Sequence, residues 1–125
     1  MEAEALILVD SNAWIQHLRK KDERLVQFLF QQRVHTCDVV VGELLLGSGL
    51  PKTFASDLLA LPHLPSPAAA ETRALIERHR RAFAGSGVGW ADAQIILAAA
   101  KSGARVHTSD RAVRKLCPAI GVALA

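Results

Sequence analysis

The segment at residues 6–15, "LILVDSNAWI", places an acidic residue directly after a run of apolar residues. Residues 6–10 predict a strand that is buried on both faces, as strands of parallel sheets are. A helix is predicted to begin at Asp10 or Ser11 and to continue past Trp14. A carboxylate at the junction of such a strand and helix has two explanations. It either caps the helix or binds a metal ion.

The length of 125 residues suits one domain, residues 1–125, and the apolar half of the composition is enough for a sizeable core. No apolar run is long enough to cross a membrane. The acidic N-terminal segment is not typical of a secretory signal, so we expect a cytoplasmic protein with no membrane contact. Cys37 and Cys117 are far apart and form no CxxC pair, so both are expected to be buried thiols.

Predicted strands and helices alternate along the chain. Strands are predicted over 6–10 and 104–108, residues 63–67 form a short strand or a loop, and residues 121–125 could form a last strand. Helices are predicted over 22–32, from Thr36 or Asp38 to Gly47–Gly49, and over 52–61, 68–83, 90–103 and 110–116. This order predicts a three-layer α/β/α fold with a central, mainly parallel sheet. Ligands of such sheets bind beyond the carboxyl ends of the strands.

Four of the twelve acidic residues lie in apolar surroundings: Asp10, Glu43, Asp92 and Asp110. A carboxylate that faces a core is costly unless it is paired, hydrogen-bonded or bound to a metal. Glu43 lies inside "VVVGELLLG", residues 39–47, and a residue in the middle of a helix cannot cap it. It could still reach solvent at the edge of the apolar stripe. The three aspartates lie near helix starts, so both capping and metal binding stay open for them.

A site made of carboxylates favours Mg²⁺ or Mn²⁺, because these ions prefer oxygen ligands. The histidines show no paired spacing that would indicate a zinc site, so we interpret them as structural or surface residues. In the strand before Asp110, His107 is expected to face away from Val106 and Thr108. No glycine pattern in the chain predicts a nucleotide-binding loop.

Basic residues outnumber acidic ones, with a net charge of +3 and an isoelectric point of about 9.2. They cluster at residues 19–21, 78–81 and 111–115. The excess mildly favours a nucleic acid or another anionic partner. Each cluster by itself is also typical of a solvated helix face.

Four segments resemble the PIN-domain ribonucleases, and most closely the VapC toxins of bacterial toxin–antitoxin pairs. They are "LVDSNAWI" (8–15), "VVVGELLLG" (39–47), "GVGWADAQIILAAA" (87–100) and "VHTSDRAV" (106–113). Each motif is weak alone, but the ordered set covers nearly the whole chain.

The resemblance implies a PIN-like α/β/α domain with an acidic pocket that holds Mg²⁺ or Mn²⁺ and hydrolyses RNA. It implies the following roles: Asp10, Glu43, Asp92 and Asp110 as the four acids, and Ser11, Asn12 and Thr108 as the polar residues that orient them. Arg111, Arg114 and Lys115, near that site, are expected to attract the RNA backbone. The implied partners are a VapB-type antitoxin and a second copy of the chain in a homodimer. Operator DNA would be bound only through the antitoxin.

Three other interpretations are compatible with parts of the sequence. The chain could be a PIN-type nuclease of RNA processing or DNA repair, or an inactive PIN domain that only binds. A receiver-like phosphoacceptor domain needs an acid pair after the first strand and a lysine after a late one, and neither is present. The chain has no tyrosine, so stacking on an RNA base would fall to Trp14, Trp90 or a phenylalanine. Both tryptophans are expected in the core.

Overall fold

The computed structural model describes residues 4–47 and 49–125. Residues 1–3 and residue 48 lie outside the described residues. The first three belong to the N-terminal segment interpreted above, and residue 48 belongs to the predicted helix end at Gly47–Gly49. The strands are β1 (Ile7–Val9), β2 (Val34–His35) and β3 (Arg105–His107). The helices are α1 (Ser11–Arg19), α2 (Glu23–Phe30), α3 (Asp38–Leu46), α4 (Lys52–Ala60), α5 (Ala69–Arg78), α6 (Arg80–Phe83), α7 (Trp90–Ser102) and α8 (Arg111–Ala119).

The sheet is parallel, with strand order β2–β1–β3. The central strand β1 is buried on both faces, as the apolar run predicts. Isolated bridges extend the two edges, one between Thr36 and His63 and one between Val106 and Leu124. Residues 63–67 and 121–125 therefore each contribute one bridge and no continuous strand.

Helices pack on the sheet in the predicted three-layer α/β/α arrangement. The central helix is α7, which contacts α3, α5 and β3. It can pack closely because its buried face combines small alanines with Ile95 and Ile96. It ends at Gly103, in the left-handed region at φ 67°, as the sequence predicts.

The sequence prediction differs from the structure in three elements. The helix predicted over 68–83 is broken at His79, whose backbone leaves the helical region, and the short α6 that follows buries Phe83. The strand β2 was not predicted, because two residues are too short to show a periodic pattern. Helix α8 runs three residues beyond the predicted end at Leu116 and includes Pro118 in its last turn.

Two predictions about buried residues have different outcomes. Cys37 and Cys117 are buried free thiols, as expected. Trp14 is in the core with 3% of its surface exposed, but the prediction for Trp90 is wrong, since 47% of its surface is exposed. Within residues 4–47 and 49–125, we find no helix that is both long and apolar enough to cross a membrane.

Candidate active site

Two of the four acidic residues stand at helix starts beyond the carboxyl ends of strands. Asp10 follows β1 and is the N-cap of α1, where its Oδ1 accepts the N–H of Ala13 at 2.8 Å. Asp110 follows β3 and is the N-cap of α8, where its Oδ1 accepts the N–H of Val113 at 3.1 Å. Capping therefore explains one oxygen of each carboxylate and leaves the other oxygen to be accounted for.

Thr108 connects these two aspartates. Its hydroxyl donates to Oδ2 of Asp10 and accepts the backbone N–H of Asp110 at 3.0 Å. Both Asp10 and Thr108 are buried. A buried hydroxyl that fixes one carboxylate and the backbone of another residue has the contacts expected of an orienting side chain.

Glu43 reaches from the middle of α3 to the first turn of α1. The Ser11 hydroxyl donates to its Oε1 at 2.7 Å, and the two residues are 32 positions apart in the chain. The carboxylate is thus held against α1, at the start of which Asp10 lies. The side chain of Asn12 makes no hydrogen bond to any described residue, so its predicted orienting role has no supporting contact.

Asp92 lies in the first turn of α7 and is only loosely held. Its Oδ2 is 3.5 Å from the backbone nitrogen of Gly89, a distance beyond that of a well-formed hydrogen bond. The side chain is half-buried. A carboxylate that is positioned by its helix but weakly bonded can accept a new ligand without losing a strong contact.

Burial and neighbouring like charges raise the pKa of two of these four carboxyl groups, Asp10 and Asp92. Burial raises the pKa of Asp10, and the charges of Asp92 and Asp110 raise it further, against hydrogen bonds from Thr108 and Ala13. Burial also raises the pKa of Asp92, with added repulsion from Glu43 and Asp110. The structure therefore brings together side chains from α1, α3, α7 and α8 that the sequence placed up to 100 positions apart.

No cationic side chain neutralises this acidic site in the part of the chain that the structure describes. The ion pairs found there involve other acids: Glu23 with Lys21, Glu4 with Arg33, Glu71 with Lys101 and Asp22 with His107. Repelling carboxylates without a counter-charge attract a cation, and their oxygen atoms suit Mg²⁺ or Mn²⁺.

The acidic side chains do not form a ready-made metal cage. Among the described residues, no three side chains of Asp, Glu, His or Cys are grouped closely enough to coordinate one ion directly. This arrangement is compatible with Mg²⁺, which commonly keeps several waters and binds one or two carboxylates. In this geometry, the four predicted ligands cannot all coordinate one ion directly.

The three predicted RNA-binding residues lie on α8 and differ in their contacts. The Arg114 guanidinium donates to the carbonyl oxygen of Thr108 at 3.3 Å, so it also supports the site. Lys115 lines a cavity of about 360 Å³ that α8 shares with Arg81 of α6. Arg111 is exposed in the first turn. The sequence analysis did not single out Arg81 as an RNA-binding candidate. Its place beside Lys115 follows from the break at His79, which the local sequence pattern does not predict.

The family follows from the sequence. The sequence profile of the PIN domain matches residues 7–117. The chain belongs to the PIN domain family. Ribonuclease VapC32 of Mycobacterium tuberculosis, in strains H37Rv and CDC 1551, is 38% identical over 122 residues, which cover 96% of this chain and 97% of the relative. The resemblance to VapC-type PIN ribonucleases is thereby confirmed.

Solved structures support the PIN fold. FitAcB from Neisseria gonorrhoeae matches with a TM-score of 0.61 at 24% identity and covers 95% of this chain and 96% of that one. The structure of FitAB bound to an IR36 DNA fragment gives a TM-score of 0.66 at 23% identity, with 96% and 94% covered. At this level of identity, the two matches establish the fold alone.

Proposed function

We propose that this PIN domain is a VapC-type toxin that hydrolyses RNA phosphodiester bonds with the help of Mg²⁺ or Mn²⁺. The observation that carries the proposal is the arrangement of the carboxylates: Thr108 joins Asp10 to Asp110, and Ser11 holds Glu43 against α1. Asp92 adds to the negative charge around Asp10, and the ion pairs among the described residues involve other acids. The membership of the PIN family and the identity to a VapC ribonuclease support the choice of RNA as substrate.

In the proposed mechanism, Asp10, Asp92, Asp110 and Glu43 hold the cation, directly or through water. When bound, the ion lowers the pKa of a coordinated water and stabilises the charge that develops on the phosphate. Thr108 keeps Asp10 in place, and Ser11 keeps Glu43 in place. Because Asp10 and Glu43 are held by these hydroxyls before substrate arrives, the two carboxylates need little reorganisation when the RNA binds.

Water would attack the phosphorus and the bond from phosphorus to the 3′-oxygen would break, so the products should carry a 5′-phosphate and a 3′-hydroxyl. The ribose 2′-hydroxyl is not needed for this step. Lys115 and Arg111 of α8 would attract the RNA backbone, together with Arg81 across the cavity. Arg114, which donates to Thr108, would contribute positive charge from the same helix. We infer that the natural substrate presents a single-stranded or loop segment, since such segments expose their bases to a protein.

The proposed partners are a VapB-type antitoxin and a second copy of the chain, with operator DNA bound through the antitoxin only. Large apolar side chains are exposed on α1, α3 and α4: Ile15, Leu18, Leu45, Leu46 and Leu59. Helix α3 contacts both α1 and α4, so these side chains lie on neighbouring helices. Exposed apolar patches of this kind are typical of protein interfaces. We place the toxin in the cytoplasm, where its RNA substrate is.

Substitution of Asp92 tests the proposed nuclease most directly. D92N removes one charge from the least tightly held carboxylate and should abolish cleavage of total tRNA and rRNA in Mg²⁺ or Mn²⁺. D57N is the matched control, because Asp57 is exposed on α4 and has no part in the acidic site. EDTA should stop cleavage by the unmodified protein, and excess Mn²⁺ should restore it. Sequencing of the RNA 5′ ends would identify the target. Cleavage at the normal rate by D92N would disprove the proposed site.

A further inference from the structure

Trp90 is an exposed aromatic residue at the start of α7, the helix that carries Asp92. The two residues are two positions apart, so their side chains leave the helix on different sides. Nearly half of its surface is exposed, although tryptophan is usually among the more buried residues. Its exposure therefore indicates a contact with something outside this chain's own core.

The side chain of Trp90 lines a cavity of about 280 Å³. Phe83 is the buried part of its lining, and half-buried Ile76 and Val88 add apolar surface. Among the described residues that line this cavity, Arg80 has the one charged side chain, and none is a carboxylate. An apolar cavity with an aromatic ring and one cation matches a nucleotide, which joins a flat base to an anionic phosphate. The volume lies just below the roughly 300 to 1,000 Å³ typical of drug-sized ligands, which suits a single base.

The cavity of Trp90 lies beside the basic cavity, so one RNA strand can contact both cavities. Helix α6 contributes Arg80 to the cavity of Trp90 and the next residue, Arg81, to the basic cavity shared with Lys115. Ala84 lines both cavities, so they adjoin. A base held at Trp90 would thus have the phosphate-binding side chains of Arg81 and Lys115 in the adjoining cavity.

We propose that Trp90 is the base-stacking residue of this enzyme. An unpaired base of an RNA strand that also passes the basic cavity stacks on its indole ring, with the Arg80 guanidinium beside the base. The proposal rests on the proposed function, because it assumes that RNA reaches the acidic site. It assigns a substrate-binding role to a residue that carries no charge and takes no part in the hydrolysis itself.

Tryptophan fluorescence gives a direct test that is independent of cleavage. D10N protein is titrated in EDTA with a short single-stranded RNA of mixed sequence. Stacking should quench the emission of Trp90, whereas Trp14 is buried and shielded from the RNA. The D10N/W90F protein keeps only the Trp14 signal, and its emission should not change. Equal quenching in both proteins would overturn the proposal.

The affinity for the same RNA provides the second measurement. W90L should weaken binding roughly 5- to 150-fold, the usual effect of removing one base–aromatic stack, and W90F should weaken it less. F30L is the matched control, because Phe30 is a strongly exposed aromatic residue on α2 outside both cavities. F30L should bind RNA as tightly as the parent. Thermal unfolding of each variant separates a loss of stacking from a loss of fold.

The possible failures are distinguishable. If D10N or D92N still cleaves RNA, the proposed nuclease site is wrong, whatever Trp90 does. If those variants are inactive but W90L binds RNA as tightly as F30L, the nuclease proposal stands and the stacking role is overturned. A change of oligomeric state in W90L, without any change in RNA affinity, would assign Trp90 to an interface between two copies and would also overturn the stacking role.

Discussion

Asp10 and Asp22 have the same structural role and opposite electrostatic surroundings. Each is the N-cap of a helix, and each accepts backbone N–H groups through Oδ1: that of Ala13 for Asp10, and those of Arg24 and Leu25 for Asp22. The second oxygen differs. Oδ2 of Asp10 accepts the neutral hydroxyl of Thr108, whereas Oδ2 of Asp22 lies 2.7 Å from Nε2 of His107.

The difference appears in the acidity of the two carboxyl groups. Burial raises the pKa of Asp10, and the neighbouring acids add to that rise. Burial also acts to raise the pKa of Asp22, but the hydrogen bond and charge of His107, with the N–H groups of α2, outweigh it and lower the pKa. Asp22 thus has a basic partner, the imidazole of His107, whereas Asp10 has only neutral partners among the described residues.

The end of β3 serves both aspartates. His107 is the last residue of β3, and Thr108 follows it directly. His107 reaches Asp22 at the start of α2, and Thr108 reaches Asp10 at the start of α1. The comparison teaches that a helix cap is structural where the chain supplies a basic side chain, and is open to a metal where the chain supplies only a neutral donor.

The largest expected difference between the two aspartates is in catalysis. D10N should lower the rate of RNA cleavage by at least about 100-fold, the upper range for residues that support a metal site. Its fold should be as stable as the parent or more so, because asparagine also caps helices and the repelled charge is gone. RNA cleavage assays and urea unfolding would measure both effects. A D10N protein that is unfolded, or fully active, would contradict this interpretation of Asp10.

The second expected effect is stabilisation by a divalent ion. Mn²⁺ at about 100 times its dissociation constant should raise the free energy of unfolding by about 2.7 kcal/mol. D57N, the control on α4, should gain as much, whereas D10N and D92N should gain clearly less. Thermal unfolding with and without Mn²⁺ would show this. Equal gains in all four proteins would place the ion elsewhere.

The third expected effect is on stability, at Asp22. D22N keeps an N-cap but loses the charged hydrogen bond with His107, so the free energy of unfolding should fall by about 1 to 2 kcal/mol. Cleavage of RNA should be unchanged, because Asp22 has no contact with the acidic site. Denaturant unfolding and the cleavage assay together would test the prediction. A loss of cleavage in a folded D22N protein would show that the two regions are coupled.

The smallest expected effect is a difference in pH dependence, measured in EDTA. The pKa of Asp22 is lower in the folded protein than in the unfolded chain, so the unfolded chain binds a proton more readily. The stability that Asp22 contributes is therefore lost as the pH falls from about 3.8 through the lowered pKa. Asp10 has a raised pKa, so its destabilising effect develops as the pH rises from about 3.8 through the raised value. The stability differences of D22N and D10N from the parent should therefore have opposite signs near neutral pH and should both shrink in acid. Differences of the same sign at neutral pH would contradict the comparison.

The acidic residues of the candidate site could be selected from the sequence, because burying a carboxylate among apolar residues is costly unless it is paired, hydrogen-bonded or bound to a metal. The position of Asp10 after a buried strand also indicated the edge of the sheet at which the site lies. The sequence left capping and metal binding as alternatives. The structure shows that capping uses one oxygen of Asp10 and of Asp110, so a helix cap and a place in the acidic site are compatible.

Other features depended on contacts that no local pattern encodes. The partner of His107 is 85 positions away in the chain, and the hydrogen bond from Ser11 to Glu43 spans 32 positions. The break at His79 and the exposure of Trp90 follow from how α5, α6 and α7 pack, since the same segments read in isolation favour a continuous helix and a buried indole ring.

The amino-acid sequence by itself determined the alternation of strands and helices, the buried central strand and the identity of the four acidic residues, because burial and periodicity are properties of neighbouring positions. Only the tertiary structure decided which carboxylate has a basic partner in the chain and which has only a neutral one. That outcome depends on which helix start is reached by His107, at the end of β3, and which by Thr108, the next residue.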